Sequence, residues 1–299
     1  MVTASTSSAN APFRRVDLSL LTTGILLALL SAVTTAITHA LLKSGKNKLA
    51  IRTWISLLCF VIALPAGLLV GLPSRDLLPR LITSCLLHAL YQFALIWSYA
   101  VSDFSTAFPI ARGISPVFAT ALSIAFLGDS LSILTLAGIA IACAGIVGIA
   151  AFGTMSRSGL LAAIVTGLLT SLYTIVDAHS VRIAPSAMKF IAWSYVLEVF
   201  AMPTLFMYRH GHEAVKILMP DIRIGVAAAT GTLISFGAAL FAFRYAPVGV
   251  VSALRELSVL AGLVLAVLLL KERFNARRTF GSISVVVGAI CIIAGIGPA

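Results

Sequence analysis

The chain has 299 residues, of which 60% are hydrophobic and 10% charged, with a formal net charge of +11. Soluble domains carry about 45–50% apolar and about 25% charged residues, so this composition excludes a water-soluble globular fold and describes a polytopic membrane protein. The positive charge does not mark a nucleic-acid binder, because the lysines and arginines sit mainly between apolar runs, where such residues anchor helices at the interface and meet anionic lipid.

Apolar runs of about 20 residues, the length a helix needs to cross roughly 30 Å of hydrocarbon, recur along the chain. The alternating strands of about ten residues that build a membrane barrel do not. Residues 1–17 read as a disordered tail, rich in Ser, Thr and Ala up to the flank Arg14-Arg15. The first span, Leu18 to Leu42, is longer than the apolar region of a signal peptide and is expected to be retained. Its positions Ser31, Thr35, Thr38 and His39 form one polar stripe that should face the bundle.

The second span, 49–71, carries Arg52, Trp54 and Pro65, and the third, 78–101, holds His88, Tyr91 and Gln92 within about one helical turn. The fourth, 104–127, contains Arg112 between Pro109 and Pro116, each of which removes a backbone donor and favours a kink. In the fifth, 133–153, Ala140, Ala144 and Gly148 form a face of small residues suited to close helix packing. After a polar link at 153–158 the sixth span, 159–183, carries Thr166, Thr170, Tyr173, Thr174 and Asp177 on one face. The seventh, 188–208, holds Trp193, Tyr195, Glu198 and Pro203 and is followed by a polar loop to Arg223. The eighth is 224–246, the ninth, 249–270, carries Arg255 and Glu256, and the tenth, 277–297, has Gly281, Gly288 and Gly295.

The second half repeats the first. A shift of 143 positions places Arg112 on Arg255 and Ser115 on Ser258, and it superposes Leu122, Gly138 and Gly145 on identical residues at Leu265, Gly281 and Gly288. An odd number of spans per half sends the halves through the membrane in opposite directions, the inverted repeat of many secondary transporters, whose binding sites lie near the midplane. The expected fold is all-α, with ten transmembrane helices as two inverted five-helix repeats at 18–153 and 158–298.

The runs Thr35 to Lys43, His88 to Gln92, Tyr99 to Pro116, Leu127-Gly-Asp129-Ser-Leu131 and Leu254-Arg255-Glu256 to Phe274 resemble the EamA type of the drug/metabolite transporter superfamily. The resemblance covers nearly all of the chain after residue 17. It implies a multi-pass carrier of the cytoplasmic (inner or plasma) membrane working by alternating access, with the fifth and tenth helices peripheral and both termini in the cytoplasm. Two departures stand out: Asp129 occupies a usual glutamate position, and His39 a position where asparagine is expected. Counting charges gives the opposite orientation, since seven basic residues fall on the amino-terminal side and twelve on the other once Arg112 and Arg255 are set aside.

A charged side chain at the centre of a membrane helix costs roughly 2.5–3.5 kcal/mol on insertion scales, so it persists where it has a partner or a function. Arg112 and Arg255 offer planar donor forks that match a carboxylate, phosphate or phosphonate. The competing reading is that they pair with Glu256, Asp177 or Glu198 and lock helices. Substrate contacts are expected from Arg112, Arg255, Tyr91, His39, His88 and Asp177, although a lone histidine is more often a satisfied packing residue. Proton coupling is expected from Asp177, Glu198 or Glu256, because burial and a nearby arginine push a carboxyl group in opposite directions.

The four cysteines lie within apolar runs at no metal-ligand spacing. The metalloprotease, serine-hydrolase and P-loop signatures are all missing, so no cofactor, no metal and no catalysis are expected. The sequence therefore reads as a secondary transporter of a small anionic or zwitterionic metabolite. The alternatives are an exporter of amphipathic drugs and a membrane-embedded enzyme or lipid-handling protein. The expected partners are the small-molecule solute, the lipid bilayer and a homodimer partner held through the fifth and tenth helices.

Overall fold

A computed structural model describes residues 18–44, 46–101, 104–150, 156–261 and 276–295. The described helices are α1 (Leu18–Ser44), α2 (Lys48–Leu69), α3 (Leu78–Val101), α4 (Phe104–Leu127), α5 (Ile133–Ala150) and α6 (Arg157–Ile183) in the first six places. Then come α7 (Ala187–Glu198), α8 (Met202–His210), α9 (Ala214–Leu218), α10 (Ile222–Tyr245), α11 (Val248–Arg255) and α12 (Ala276–Ala294). Five stretches among them are long and apolar enough to cross a membrane: Leu18–His39, Lys48–Leu69, Ile110–Leu127, Arg157–Ile183 and Ala187–Tyr245. The tail 1–17, the link 151–155 and residues 262–275 of the ninth span and its following motif lie outside the described residues.

The packing exchanges partners between the halves. The first-half helix α1 lies on α10 and α11 of the second half, while α6 of the second half lies on α3 and α4 of the first. The contacts α2 with α7, α4 with α11 and α5 with α12 join equivalent helices. This is the two-repeat pattern of a pseudo-twofold, and it extends to single bonds. Trp54 near the start of α2 donates its indole N–H to Leu218 O at 2.8 Å, and Trp193 in α7 donates to Gly71 O at 3.1 Å.

Local chemistry sets the ends. Asn47 accepts from the N–H groups of Leu49 and Ala50 and caps α2, and Ser156 accepts from Gly159 N and caps α6. Asp221 in turn accepts from Lys46 N and Asn47 N, fastening the α1–α2 turn to the start of α10.

Two expected spans are not single helices. The seventh stops at Glu198 and resumes at Met202, with Phe200 and Ala201 donating to Leu197 O and Glu198 O in tighter turns. Pro203 explains the interruption, since it has no N–H for the carbonyl of Val199. The ninth ends its first helix at Arg255 and turns at Glu256 before helical residues 257–261. By contrast α4 runs unbroken through Pro109 and Pro116, so the expected kinks do not divide it. The expected loop before Arg223 contains the short helix α9 between two single-turn helices.

The small-residue face of α5 also differs from expectation. Gly138 and Gly145, not Ala140, Ala144 and Gly148, meet α12: a β-carbon on Gly138 would lie 2.7 Å from Gly288 O, and one on Gly145 2.8 Å from Gly281 O. Ala140 and Ala144 are exposed instead, and Gly148 has open space beside it. The helices therefore meet backbone to backbone along a stripe one turn position away from the one the spacing indicated.

A polar knot closes one end of the bundle. Asp129, on the α4–α5 connection, takes two bonds from the Arg182 guanidinium at 2.8 and 3.3 Å and accepts Val248 N at 2.8 Å. Arg182, at the end of α6, also donates to Phe243 O at 2.8 Å and Ala246 O at 3.2 Å, the last carbonyls of α10. One carboxylate and one guanidinium thus tie the pair α4–α6 to the pair α10–α11. Removing one member of a buried pair leaves the other uncompensated, so Asp129→Ala is expected to cost about 3 kcal/mol, read as a lower unfolding temperature in detergent. An unchanged melting curve would show the knot to be idle.

Candidate functional site

The expected polar residues come from α1, α3, α4, α6, α7 and α11. Arg112 of α4 donates to Glu256 at the break after α11, 3.2 Å away, with Glu256 3% exposed. Arg255 donates from Nε to the hydroxyl of Ser31 in α1 at 3.0 Å. Ser31 belongs to a buried hydroxyl cluster in which Ser235 of α10 contacts it at 3.3 Å and also bonds the hydroxyl of Thr35. Arg255 lies within electrostatic reach of Arg112, Glu256, Tyr173 and Tyr91, and His39 within reach of Arg112, Arg52 and Arg255.

The break after α11 explains why Arg255 and Glu256 diverge. Adjacent residues lie about 100° apart on a helix, and the tight turn at Glu256, whose carbonyl accepts Val259 N at 2.9 Å, adds to that separation. One side chain goes to α1 and the other to α4. Around them Ser252, Ser258 and the second Glu256 oxygen are buried, with no hydrogen-bond partner among the described residues.

His88 is not a lone packing histidine. Its Nε2 lies 2.9 Å from Asp177 of α6 and its Nδ1 lies 3.3 Å from Glu198 at the end of α7. The hydroxyl of Ser84 donates to the other oxygen of Asp177. The sequence signal for this arrangement was present: one histidine and two carboxylates, each within its own apolar run and each in need of a partner. The ring of Tyr173 joins this triad to the arginines, tilted against His88 at 4.0 Å between centroids and edge-on to Tyr91 at 5.3 Å. Glu198, His88, Asp177, Tyr173 and Tyr91 thus form one polar run in contact, and Arg112, Glu256 and Arg255 lie within electrostatic reach of its tyrosines; together they are the polar strip of the bundle.

Other expected aromatics serve packing. Tyr195 donates its hydroxyl to the Thr232 and Leu233 carbonyls of α10, and Trp193 is spent on Gly71. The side chain of Tyr99 lies outside the described residues. Among the described residues no group of three His, Cys, Asp or Glu could hold a metal ion. The triad shows why: the two carboxylates face opposite edges of the imidazole and cannot converge on one ion. A surface groove lined by His212, Glu213, Val215, Lys216, Met219 and Pro220 shares no residue with the strip.

The EamA-like transporter family matches residues 22–151 and again 157–294, one match to each half. The chain belongs to this family. It is accordingly a multi-pass membrane protein of a family of transporters, built on the two-repeat architecture that the helix pairing displays. A solved crystal structure superposes with a TM-score of 0.66 over 92% of this chain and 98% of its own length at 19% identity, a likeness of fold alone. No curated protein sequence matches.

Glu256→Ala removes the buried carboxylate opposite Arg112 and is expected to lower stability by about 3 kcal/mol, whereas Glu256→Gln, which keeps an acceptor oxygen, should cost clearly less. Parallel thermal unfolding of the two variants checks this. Equal losses would show that Arg112 gains nothing from the Glu256 oxygen.

Proposed function

We propose that this protein is a secondary transporter, not an enzyme, that moves a small anionic or zwitterionic metabolite across a cytoplasmic membrane by alternating access. The observation that carries the reading is that Arg112 meets the buried carboxylate of Glu256 while the neighbouring Arg255 donates to the neutral hydroxyl of Ser31, so that two guanidiniums from equivalent helices come to one place. A guanidinium in hydrocarbon is held for a partner or a function, and an incoming carboxylate or phosphate would take a bidentate set of bonds from it. Arg112 and Arg255 would hold the anionic group, the unpartnered Ser252 and Ser258 hydroxyls would donate, and the second Glu256 oxygen would accept from the ammonium of a zwitterion. Tyr91 and His39 would form the wall.

In this reading the chain makes ten crossings as two inverted repeats, 18–153 and 158–298, with both termini in the cytoplasm. Rocking of the α3–α4–α6 group against the α1–α10–α11 group would expose the strip to each side in turn. The knot at Asp129 and Arg182 spans these two groups and would have to open in one of the two states. A homodimer would use the exposed Ala140 and Ala144 face of the fifth helix, because the Gly138 stripe is occupied by α12 within the chain. Export of amphipathic drugs is the weaker reading, since Tyr195 and Trp193, which would line such a path, are engaged with backbone carbonyls.

The test is a thermal-stability screen of the purified protein against anionic, zwitterionic and cationic metabolites, because a ligand that binds only the folded state raises its apparent stability. Stabilisation confined to anions or zwitterions, absent in Arg112→Ala and Arg255→Ala protein that still folds, is expected. Stabilisation only by cations or apolar compounds would assign the arginines to structure and overturn the reading.

A further inference from the structure

We infer that His88, Asp177 and Glu198 form a proton-binding site, and that its proton occupancy controls how well the arginine end of the strip holds an anion. The coupling role rests on the transport reading above; the proton binding itself does not.

The argument begins with the hydrogen-bond inventory of an imidazole. Neutral histidine has one N–H donor and one bare acceptor nitrogen, whereas a carboxylate only accepts. Here both ring nitrogens face carboxylate oxygens, Nε2 to Asp177 at 2.9 Å and Nδ1 to Glu198 at 3.3 Å. A neutral ring between two carboxylates would set a lone pair against a lone pair in a buried place, since Asp177 is 1% exposed and His88 8%. The Nε2 contact is a hydrogen bond and the Nδ1 contact an ion-pair approach, and both are favourable together when the three groups share one proton more than that. The extra proton has two homes. With it on Nδ1 the ring is an imidazolium between two carboxylates. When the N–H bond breaks and its electron pair stays on Nδ1, the proton forms an O–H bond on Glu198 Oε1, leaving a neutral ring and a carboxylic acid. The triad carries the same net charge of −1 in both forms, and a second proton brings it to zero.

The surroundings make Glu198 the place of exchange. Asp177 is fixed from two sides, by His88 and by the Ser84 hydroxyl. The Glu198 side chain is 20% exposed, and Glu198 is the last residue of α7, beside the Val199–Ala201 break. The groups within electrostatic reach of the triad among the described residues are Arg255 from α11, Arg52 and the Cys59 thiol from α2, Cys85 from α3, Tyr173 from α6 and Tyr195 from α7. Of these only the arginines are cationic, and Arg255 lies within electrostatic reach of His88. The triad's negative charge therefore offsets part of the Arg255 charge. Loading the second proton removes that offset and leaves the arginine end more attractive to an anion. By linkage a bound anion favours protonation to the same extent, so proton and anion bind together and travel in the same direction.

The test uses full-length protein in lipid, examined by infrared difference spectroscopy between about pH 5 and about pH 8. The expected result is a carboxylic-acid carbonyl band that rises on acidification, is lost in Glu198→Gln and survives in Glu256→Gln. No such band, or one that persists in both Glu198→Gln and Asp177→Asn, overturns the site. Should those variants not fold, nitrogen-15 NMR of protein in which His88 is the one remaining histidine of five decides the matter. Two protonated ring nitrogens at neutral pH are expected, and a ring with one permanently bare nitrogen contradicts the proposal. The coupling is read from the thermal shift given by inorganic phosphate and by glutamate, expected to grow on acidification in wild type and to be independent of pH in Glu198→Gln. A carboxyl band with no anion shift at any pH would sink the anion-transport reading and leave the proton site standing; an anion shift with no band does the reverse.

Discussion

A guanidinium buried among apolar helices has to be matched by charge, and this chain has two of them at equivalent places in its halves. The Arg112–Glu256 contact is the interaction on which the rest of the arrangement depends, because it joins α4 to the break after α11 at the seam between repeats. Buried pairs of this kind contribute little net stability over an apolar isostere, while loss of one member is strongly destabilising. The second guanidinium is anchored through Nε to the neutral hydroxyl of Ser31, and the proposed anion site rests on that arrangement.

The repeat supplies the frame and its imperfections supply the chemistry. Helix pairings exchange under the swap of halves, as do the two tryptophan-to-carbonyl bonds that tie α2 and α7 to opposite connections. The polar contents do not exchange. Where α3 meets α6 the chain has placed His88, Asp177 and Ser84, and where α1 meets α10 it has placed Ser31, Thr35 and Ser235. One wall is ionisable and the other is hydroxyl-lined. Two equivalent helix pairs therefore differ in chemistry although they match in packing.

Much of this was legible in the sequence, for physical reasons that also mark where legibility ended. Runs of about 20 apolar residues and the 143-residue shift of the arginine segment depend on local spacing, and they led to the helices and to Arg112 and Arg255. The His88 triad depends on residues 89 and 110 positions away (177 − 88 and 198 − 88), a tertiary fact that no local period encodes. The break between α7 and α8 was hidden by the apolar composition of the span, since prolines inside α2 and α4 leave those helices unbroken, and the close-packed stripe of α5 lies on Gly138 because backbone approach is decided by the partner helix. In the sequence Asp129 stands out only as a departure from glutamate; its bond to the Val248 N–H and its hold on Arg182 appear only once α4, α6, α10 and α11 come together.

Movement of solute is the central claim, and sealed vesicles containing the purified protein test it most directly. The anion giving the largest stabilisation, supplied outside in labelled form, should accumulate inside chemically unchanged, at a rate that saturates with concentration and requires Arg112. Solute that stays outside vesicles holding correctly folded protein, or that is recovered chemically altered, would contradict the account.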